Sequence, residues 1–222
     1  MKRAYLLIEG QTEETFVREL MRPHYERMDL YLTPIIASTS PGHKGGVVSY
    51  AKVRREIEHL CKQDAGAMVS TMFDLYALPN DFPGKNSPQW SRLRSGSEKA
   101  VLIEQAMEHD ILQRNFIPYI QVHEFEALLF VQPECFLDWA DKSVTQQLAA
   151  ARQTHAPEEI NDDPRTAPSK RILAAMPGYQ KPIHGPLIAC AICLDAMRTV
   201  CPHFALWLNK LDALAHQGNP MS

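Results

Sequence analysis

The stretch AYLLIEGQTEETF, residues 4–16, contains the pattern on which the architecture of this chain depends. Residues 4–8 form a short apolar run of the kind found in buried strands. Glu9 and Gly10 end that run, and apolar residues then recur at helical spacing over residues 12–28. Thr12 is the expected N-cap, followed by acidic residues that suit the positive end of a helix dipole. The segment therefore predicts a strand, a turn and an amphipathic helix.

The same alternation of elements continues to residue 123. Strand-like runs at 31–37, 67–73 and 116–122 alternate with helical spacing at 50–62 and 97–112. Pro34 suggests an edge position or a bulge in the second strand. This order is typical of an α/β fold with a mostly parallel sheet. We predict a four-stranded sheet flanked by helices over residues 1–130, and a helical C-terminal extension packed on it over residues 131–222.

The composition limits the functional classes. The 222 residues carry 23 Lys and Arg against 26 Asp and Glu, a net charge of −3, so binding to nucleic acid would need a local basic patch. No apolar run reaches the length of a membrane span, and the N-terminus does not have the pattern of a signal peptide, so we expect a cytoplasmic protein without membrane contact. The five cysteines are odd in number and scattered, which favours reduced thiols.

Acidic residues stand where the predicted strands end. Glu9 follows the first strand, Asp74 the third, and Glu124 and Glu126 the fourth, while Glu13 lies one helical turn beyond the first. Because the carboxyl ends of parallel strands meet along one edge of a sheet, these carboxylates are expected to converge. Oxygen ligands of this kind suit Mg²⁺ or Mn²⁺.

Each acidic position also has an ordinary interpretation, since acidic residues often cap helices or begin exposed loops. The combination favours a cation site, because Glu124 and Glu126 flank Phe125 in the apolar stretch FIPYIQVHEFEALLF, where uncompensated charge is costly to bury. Which of the two glutamates faces the site stays open.

Several segments resemble known families. Residues 6–14 (LLIEGQTEE) resemble the first motif of the Toprim domain, especially in the overcoming-lysogenization-defect nucleases. Residues 71–79 (TMFDLYALP), 122–130 (VHEFEALLF) and 201–204 (CPHF) resemble the bacterial domain-of-unknown-function 4276 family, which is regarded as Toprim-like. This second resemblance spans residues 5–214, nearly the whole chain.

The resemblance implies roles for the acidic residues. Glu9 matches the first-motif glutamate, a metal ligand or acid/base group, and Glu13 the second acidic residue of that motif. Asp74 matches the first aspartate of an Asp-x-Asp motif, whereas Tyr76 stands where the second belongs. One expected ligand is thus missing, and Glu124 or Glu126 would replace it. Glu9 and Asp74 are the candidate catalytic carboxylates of a two-metal phosphodiester hydrolase.

Basic residues in two loops are candidates for contacts with phosphate. His43 and Lys44 lie between glycines in the segment GHKGG, where backbone amides can approach an anion. Either could place positive charge near the scissile phosphate, and Lys44 is the candidate catalytic residue of the two; an ordinary turn is the competing interpretation. The loop at 77–95 adds Lys85, Arg92 and Arg94 near Trp90, a set suited to single-stranded nucleic acid or simply an exposed loop with incidental charge.

Three functions follow from these patterns. The first is a Mg²⁺- or Mn²⁺-dependent nuclease acting on DNA or RNA; the resemblance places it in a phage-defence or mobile-element context with an ABC-type or AAA-type ATPase as partner. The alternative is a catalytically degenerate Toprim-like binding or regulatory subunit of an ATPase complex, favoured by Tyr76. A nucleotide-binding transferase that uses the Lys44 loop is disfavoured, because no standard phosphate-binding motif is present.

Overall fold

Two buried strands form the centre of a parallel sheet in the computed structural model, which describes residues 1–38, 47, 49–160 and 166–216. β1 (Lys2–Ile8) pairs in parallel with β3 (Met68–Asp74) on one side and with β2 (Leu30–Ile36) on the other. β3 is buried on both faces, and its two central polar residues, Ser70 and Thr71, have their hydroxyls hydrogen-bonded inside the protein. β2 lies at the edge of the sheet, as Pro34 predicted.

The fourth strand is interrupted. β4 (Phe116–Ile117) and β5 (Ile120–Gln121) both pair in parallel with β3, and Pro118 separates them. The prediction of one continuous strand over 116–122 is wrong in this respect, because Pro118 has no N–H for the ladder. The hydroxyl of Thr71 replaces the missing pairing: it donates to the carbonyl of Tyr119 (2.8 Å) and accepts from its N–H (2.9 Å). The sheet order is β2-β1-β3-β4, with β5 also on β3.

The first helical segment begins directly after Gly10. α1 (Gln11–Phe16) continues through a π-helical turn (Val17–Met21) into α2 (Arg22–Glu26). Gly10 is the N-cap, so the prediction of Thr12 as N-cap is wrong. With Gly10 as N-cap the helix begins two residues earlier than with Thr12 as N-cap, so Thr12 lies in its first turn, where the side chain is buried.

Helices cover both faces of the sheet. Successive side chains of a strand point to opposite faces, so Ala4, Leu6 and Ile8 of β1 join one hydrophobic cluster and Leu7 joins the other. α3 (Tyr50–Gln63) and α4 (Gly96–Ile111) pack on the Leu7 side. The α/β class with a mostly parallel sheet flanked by helices is confirmed.

The C-terminal portion is helical, as predicted. It contains α5 (Lys142–Thr154), α6 (Pro168–Ala175), α7 (Lys181–Ile192), α8 (Leu194–Val200) and α9 (Pro202–His216). Its buried side chains belong to the same hydrophobic cluster as Ile8. A domain boundary near residue 130 stays a prediction.

A single helix long and apolar enough to cross a membrane is not found among the described residues; α7 and α8 satisfy that condition only together, across a bend of 82°.

Candidate functional site

The carboxyl ends of β1 and β3 bring Glu9 and Asp74 together. Ile8 pairs with Met72 in the sheet, so the residue after β1 and the last residue of β3 lie side by side. The carboxylate of Glu9 accepts a hydrogen bond from the backbone N–H of Asp74 at 3.3 Å. The convergence expected from the parallel strands is present for these two groups.

A tight turn after β5 brings the third acidic segment to the same place. His123 has a positive φ of 59°, a left-handed conformation that is uncommon for a residue with a side chain. The turn is held from both sides: the carbonyl of His123 accepts from the N–H of Tyr76 (2.9 Å), and Asp74 Oδ1 accepts from the N–H of Phe125 (2.8 Å). The chain therefore folds across Asp74 and delivers Glu126 to it.

Lys181, the first residue of α7, lies among these carboxylates. Its Nζ is 2.9 Å from Asp74 Oδ2, 3.1 Å from Glu126 Oε2 and 3.6 Å from Glu13 Oε1. We refer to Glu9, Glu13, Asp74, Glu124 and Glu126 as the acidic cluster. Residues from β1, α1, β3, the segment after β5 and α7 thus meet at the carboxyl edge of the sheet.

Glu124 and Glu126 take different directions. Glu126 faces the ammonium of Lys181, whereas Glu124 Oε1 accepts a hydrogen bond from the N–H of Ser169 in the first turn of α6. The pKa of Glu124 is raised by burial and, less strongly, by the charge of Asp74, so Glu124 still belongs electrostatically to the cluster. Of the two glutamates, Glu126 is the one that faces Lys181, and its role as a ligand stays a prediction.

The acidic cluster carries more negative charge than Lys181 compensates. Burial, together with the charges of Asp74 and Glu13, raises the pKa of Glu9 to about 8. Burial also raises the pKa of Glu126 to about 8, although Lys181 acts in the opposite direction. Burial lowers the pKa of Lys181, but the surrounding carboxylates outweigh it and hold that pKa well above its ordinary value. The site therefore favours additional positive charge, whether protons or a cation.

Several buried oxygens in the cluster have no hydrogen-bond partner within the described structure. They are both carboxylate oxygens of Glu126 and Oε1 of Glu13; the buried hydroxyl of Tyr179, two residues before Lys181, is in the same condition. Glu126 Oε2 lies within ion-pair distance of Lys181 but without hydrogen-bond geometry. Within the described ranges, no three Asp, Glu, His or Cys side chains have the spacing of a metal-ligand set. The carboxylate oxygens suit a hard cation, and in this structure they surround the ammonium of Lys181.

The sequence analysis missed Lys181, because residues 156–186 are polar and rich in proline and the last helical region was expected to start at Leu187. A lysine at the N-terminus of a helix is itself a signal, since its charge opposes the helix dipole. Gly185 allows α7 to approach closely: a Cβ there would lie 3.1 Å from the Phe125 ring and 3.4 Å from the Thr12 methyl group. This close packing against α1 brings Lys181 to Glu13.

The family model described as "Domain of unknown function (DUF4276)" matches residues 8–212. The chain belongs to this family. The match covers the strand ends, the segment after β5 and Lys181, so every element of the acidic cluster lies within the DUF4276 region.

Two solved structures are similar to this DUF4276 chain. Both are of the C-terminal region of the OLD protein from Xanthomonas campestris pv. campestris, one phased with iodine and the other with mercury. The first has 14% sequence identity and a TM-score of 0.36, the second 12% and 0.37, and each comparison covers 97% of both chains. No protein with a curated description matches the chain. These comparisons therefore assign the chain to a family and do not assign it an activity.

The predicted nucleic-acid contacts of this DUF4276 chain fall in two places. His43 and Lys44 lie outside the described residues. Lys85 donates to the carbonyl of Leu78 (2.5 Å), and burial lowers its pKa. Its ammonium lies 5.9 Å from the centre of the Trp90 ring, a cation–π contact. Lys85 thus has a structural contact within its loop, and any contact with nucleic acid stays a prediction.

Arg92 and Arg94 lie in the same loop, close to the start of α4. The backbone N–H groups of Arg94 and Ser95 both donate to Glu98, which closes a capping box at that helix terminus. Gly96 contacts the ring of His123, since a Cβ on Gly96 would lie 2.7 Å from it. The basic loop therefore ends beside the turn that carries Glu124 and Glu126.

A cavity of about 540 Å³ between α4 and α9 lies apart from the acidic cluster. Its lining includes His203 and Glu104, which form a buried ion pair of 2.9 Å, and Trp207, which stacks on Tyr119 with 4.2 Å between ring centres. The Trp207 indole donates to the hydroxyl of Ser70 in β3. These groups satisfy one another, so we assign this cavity to the packing of α9.

Proposed function

We propose that this protein is a divalent-metal-dependent phosphodiester hydrolase, a nuclease, with its metal centre in the acidic cluster. One observation carries the proposal: carboxyl groups from the ends of adjacent parallel strands and from α1 surround one point, and the buried carboxylate of Glu126 has no hydrogen-bond partner in the described structure. Burial of uncompensated carboxylates is costly, so a fold that collects them in one place needs a cation there.

The donors suit Mg²⁺ or Mn²⁺. Both ions prefer oxygen ligands, and carboxylates are the usual protein ligands of Mg²⁺. Glu9, Asp74 and Glu126 would hold the ion, with Glu13 beside them. A divalent ion bound there would supply Lewis-acid stabilisation of the charge that develops on a phosphate and would lower the pKa of a water molecule.

Backbone contacts orient the proposed ligands. Asp74 Oδ1 is fixed by the N–H of Phe125, which leaves Oδ2 directed at the centre of the cluster. The carboxylate of Glu9 is held against the N–H of Asp74. Because these two groups are positioned by the sheet and by the turn after β5, little reorganisation is required of them on binding.

The loop before α4 is the proposed contact for nucleic acid. Trp90 has Lys85 and Lys99 near its ring, each 5.9 Å from the ring centre, and Arg92 and Arg94 follow. Basic side chains around an aromatic ring suit the backbone and bases of a single strand. The net charge of −3 means that attraction to DNA or RNA must come from such a local patch.

Cleavage assays with matched variants test the proposal. Purified protein is incubated with plasmid DNA and with single-stranded RNA in Mn²⁺, Mg²⁺ or a chelator. We expect metal-dependent cleavage that Glu9→Gln and Asp74→Asn abolish without lowering Tm. Asn at position 74 keeps an acceptor for the N–H of Phe125. Glu14→Gln is the control, because Glu14 follows Glu13 on α1 but pairs with Arg18 at 2.7 Å. Cleavage that survives both substitutions would exclude this site.

A second candidate is a binding or regulatory subunit of an ATPase complex. The ion pairs of Lys181 favour it, since an ammonium partly neutralises the cluster without a metal, and Tyr76 stands where the resemblance expects a ligand. The ATPase partner, of ABC or AAA type, and the phage-defence context belong to both candidates. Inactivity of the protein in the presence of its cognate ATPase, with Mn²⁺ supplied, would favour this second function.

A further inference from the structure

The position of Lys181 in the acidic cluster has a consequence for metal binding. Its ammonium lies within 3.6 Å of oxygens from Asp74, Glu126 and Glu13, which is the space between the proposed metal ligands. We propose that Lys181 is the resident counter-ion of the acidic cluster and that a divalent cation enters only when this ammonium leaves. This inference rests on the proposed function and describes the regulation of its site.

The first reason is that the two cations use the same oxygens. Asp74 Oδ1 is occupied by the N–H of Phe125, so Oδ2, which contacts Lys181, is the oxygen left for a metal. Oε2 of Glu126 also contacts Lys181. A divalent ion bound to these atoms would stand next to a second positive charge in a poorly solvated place, where repulsion is strong. The metal ion and the ammonium of Lys181 therefore cannot occupy the acidic cluster at the same time.

The second reason is that Lys181 can leave and the carboxylates cannot. The side chain of Lys181 is 33% exposed, whereas those of Asp74 and Glu126 are 6% and 1% exposed. A lysine side chain has a flexible stem of four carbons, so rotamer changes alone can move its ammonium out into the solvent. The acidic side chains are held by the sheet edge and by the turn after β5.

The third reason is the location of Lys181 on α7. It is the first residue of that helix, where the positive end of the dipole opposes its charge. Nothing in the helix itself favours a lysine at this position, so the acidic cluster is what holds the ammonium. When a divalent ion neutralises the carboxylates, that attraction is removed, and the repulsion between the Lys181 charge and the helix dipole remains.

Chemical labelling of the unmodified protein tests the exchange directly. Brief treatment with acetic anhydride, with and without Mn²⁺, is followed by mass spectrometry of the peptide containing Lys181. We expect Mn²⁺ to increase acetylation of Lys181 by about fivefold or more, because an ammonium paired with buried carboxylates is protected and a solvated one is not. Lys142, which is exposed at the start of α5, serves as the internal reference and should not change.

Two substitutions separate charge from shape in calorimetric titrations with Mn²⁺. Lys181→Met removes the charge and keeps the length of the side chain, so we expect binding at least about tenfold tighter than in the unmodified protein. Lys181→Arg keeps the charge, and its affinity should stay within about threefold of the unmodified protein. Tm without metal is measured for each variant, and the labelling result stands if Lys181→Met does not fold.

The outcomes distinguish this inference from the proposed function. Tighter binding by Lys181→Met and increased labelling in Mn²⁺ support the exchange. Equal or weaker binding by Lys181→Met, or unchanged labelling of a protein that binds Mn²⁺, overturns the exchange and leaves the metal centre in place. Absence of Mn²⁺ binding in all three proteins overturns the metal centre itself, and this inference with it.

Discussion

Replacing Glu126 by Gln is expected to stabilise the metal-free protein at neutral pH and to remove its response to divalent cations. Glu126 is 1% exposed, and neither of its oxygens has a hydrogen-bond partner among the described residues. Burial raises its pKa from 4.5 to about 8. In the metal-free protein the folded state therefore favours the protonated form of Glu126 more than the unfolded chain does, even beside Lys181, and Gln reproduces the shape of the protonated carboxyl group without that cost.

The size of the effect follows from the two pKa values. Because the folded-state pKa of Glu126 is the higher one, the cost is absent below about pH 4.5 and grows as pH rises to about 8. At pH 7, which is about 2.5 pH units above the ordinary value, it amounts to about 3 kcal/mol. This is an upper bound, because neighbouring carboxyl groups in the cluster share the proton. For a chain of this size it corresponds to a rise in Tm of about 6 to 12 °C.

Thermal unfolding of both proteins at a series of pH values from 4.5 to 8 measures this difference. The variant and the unmodified protein should have nearly equal Tm at pH 4.5 and diverge as pH rises. Glu134→Gln, an exposed glutamate in the segment that follows Val131, is the control and should leave Tm unchanged at every pH. Addition of Mn²⁺ should raise Tm of the unmodified protein and of the control, but not of Glu126→Gln.

Two results would refute this reasoning. One is a loss of stability in Glu126→Gln at pH 7, which would mean that Glu126 is ionised in the folded protein and stabilises it through Lys181. The other is an equal gain in Tm at pH 4.5 and pH 7, which would place the effect outside the titration of Glu126.

Gly96→Ala should lower the free energy of unfolding by about 1 to 3 kcal/mol, measured by urea unfolding, because a Cβ there would lie 2.7 Å from the ring of His123. Gly178→Ala is the control, since a Cβ at Gly178 would have nothing within 4 Å. Equal effects of the two substitutions would contradict the contact. His203→Gln should be more destabilising at pH 6 than at pH 9. Burial lowers the pKa of His203, but the hydrogen bond to Glu104 and the charges of Glu104 and Glu158 together outweigh burial and raise that pKa above 6.5. The stabilisation from the ion pair is therefore present below pH 6.5 and lost as pH rises through the folded-state value. A pH-independent difference between variant and unmodified protein would refute this.

Local periodicity was enough to predict most of the fold. The runs at 4–8 and 67–73 correspond to β1 and β3, because strands buried on both faces are rich in apolar residues. The pattern did not locate the interruption at Pro118 or the helix start at Gln11. Pro118 was a visible signal for the interruption, because proline has no N–H for the ladder. The helix start depends on the backbone conformation at Gly10, which residue spacing does not encode.

The convergence of the acidic residues could also be predicted from the order of the elements along the chain. Glu9 and Asp74 follow two strands, and the rule that parallel strands end at one edge brings them together whatever the side-chain details. The choice between Glu124 and Glu126 was not accessible, because it depends on the left-handed conformation of His123, which directs one side chain to Ser169 and the other to Lys181.

The contact between Lys181 and the acidic cluster is the feature of the site that the sequence did not predict. Lys181 is 107 positions from Asp74, and its unfavourable place at a helix N-terminus does not say which carboxylates it meets. The ion pair forms because α7 packs closely on α1 at Gly185, a long-range contact created by burial of apolar surface. The succession of strands and helices along the chain and the charges at the strand ends are properties of short segments and can be predicted from them. The cation that meets those charges depends on how distant helices pack, and that packing is a property of the whole folded chain.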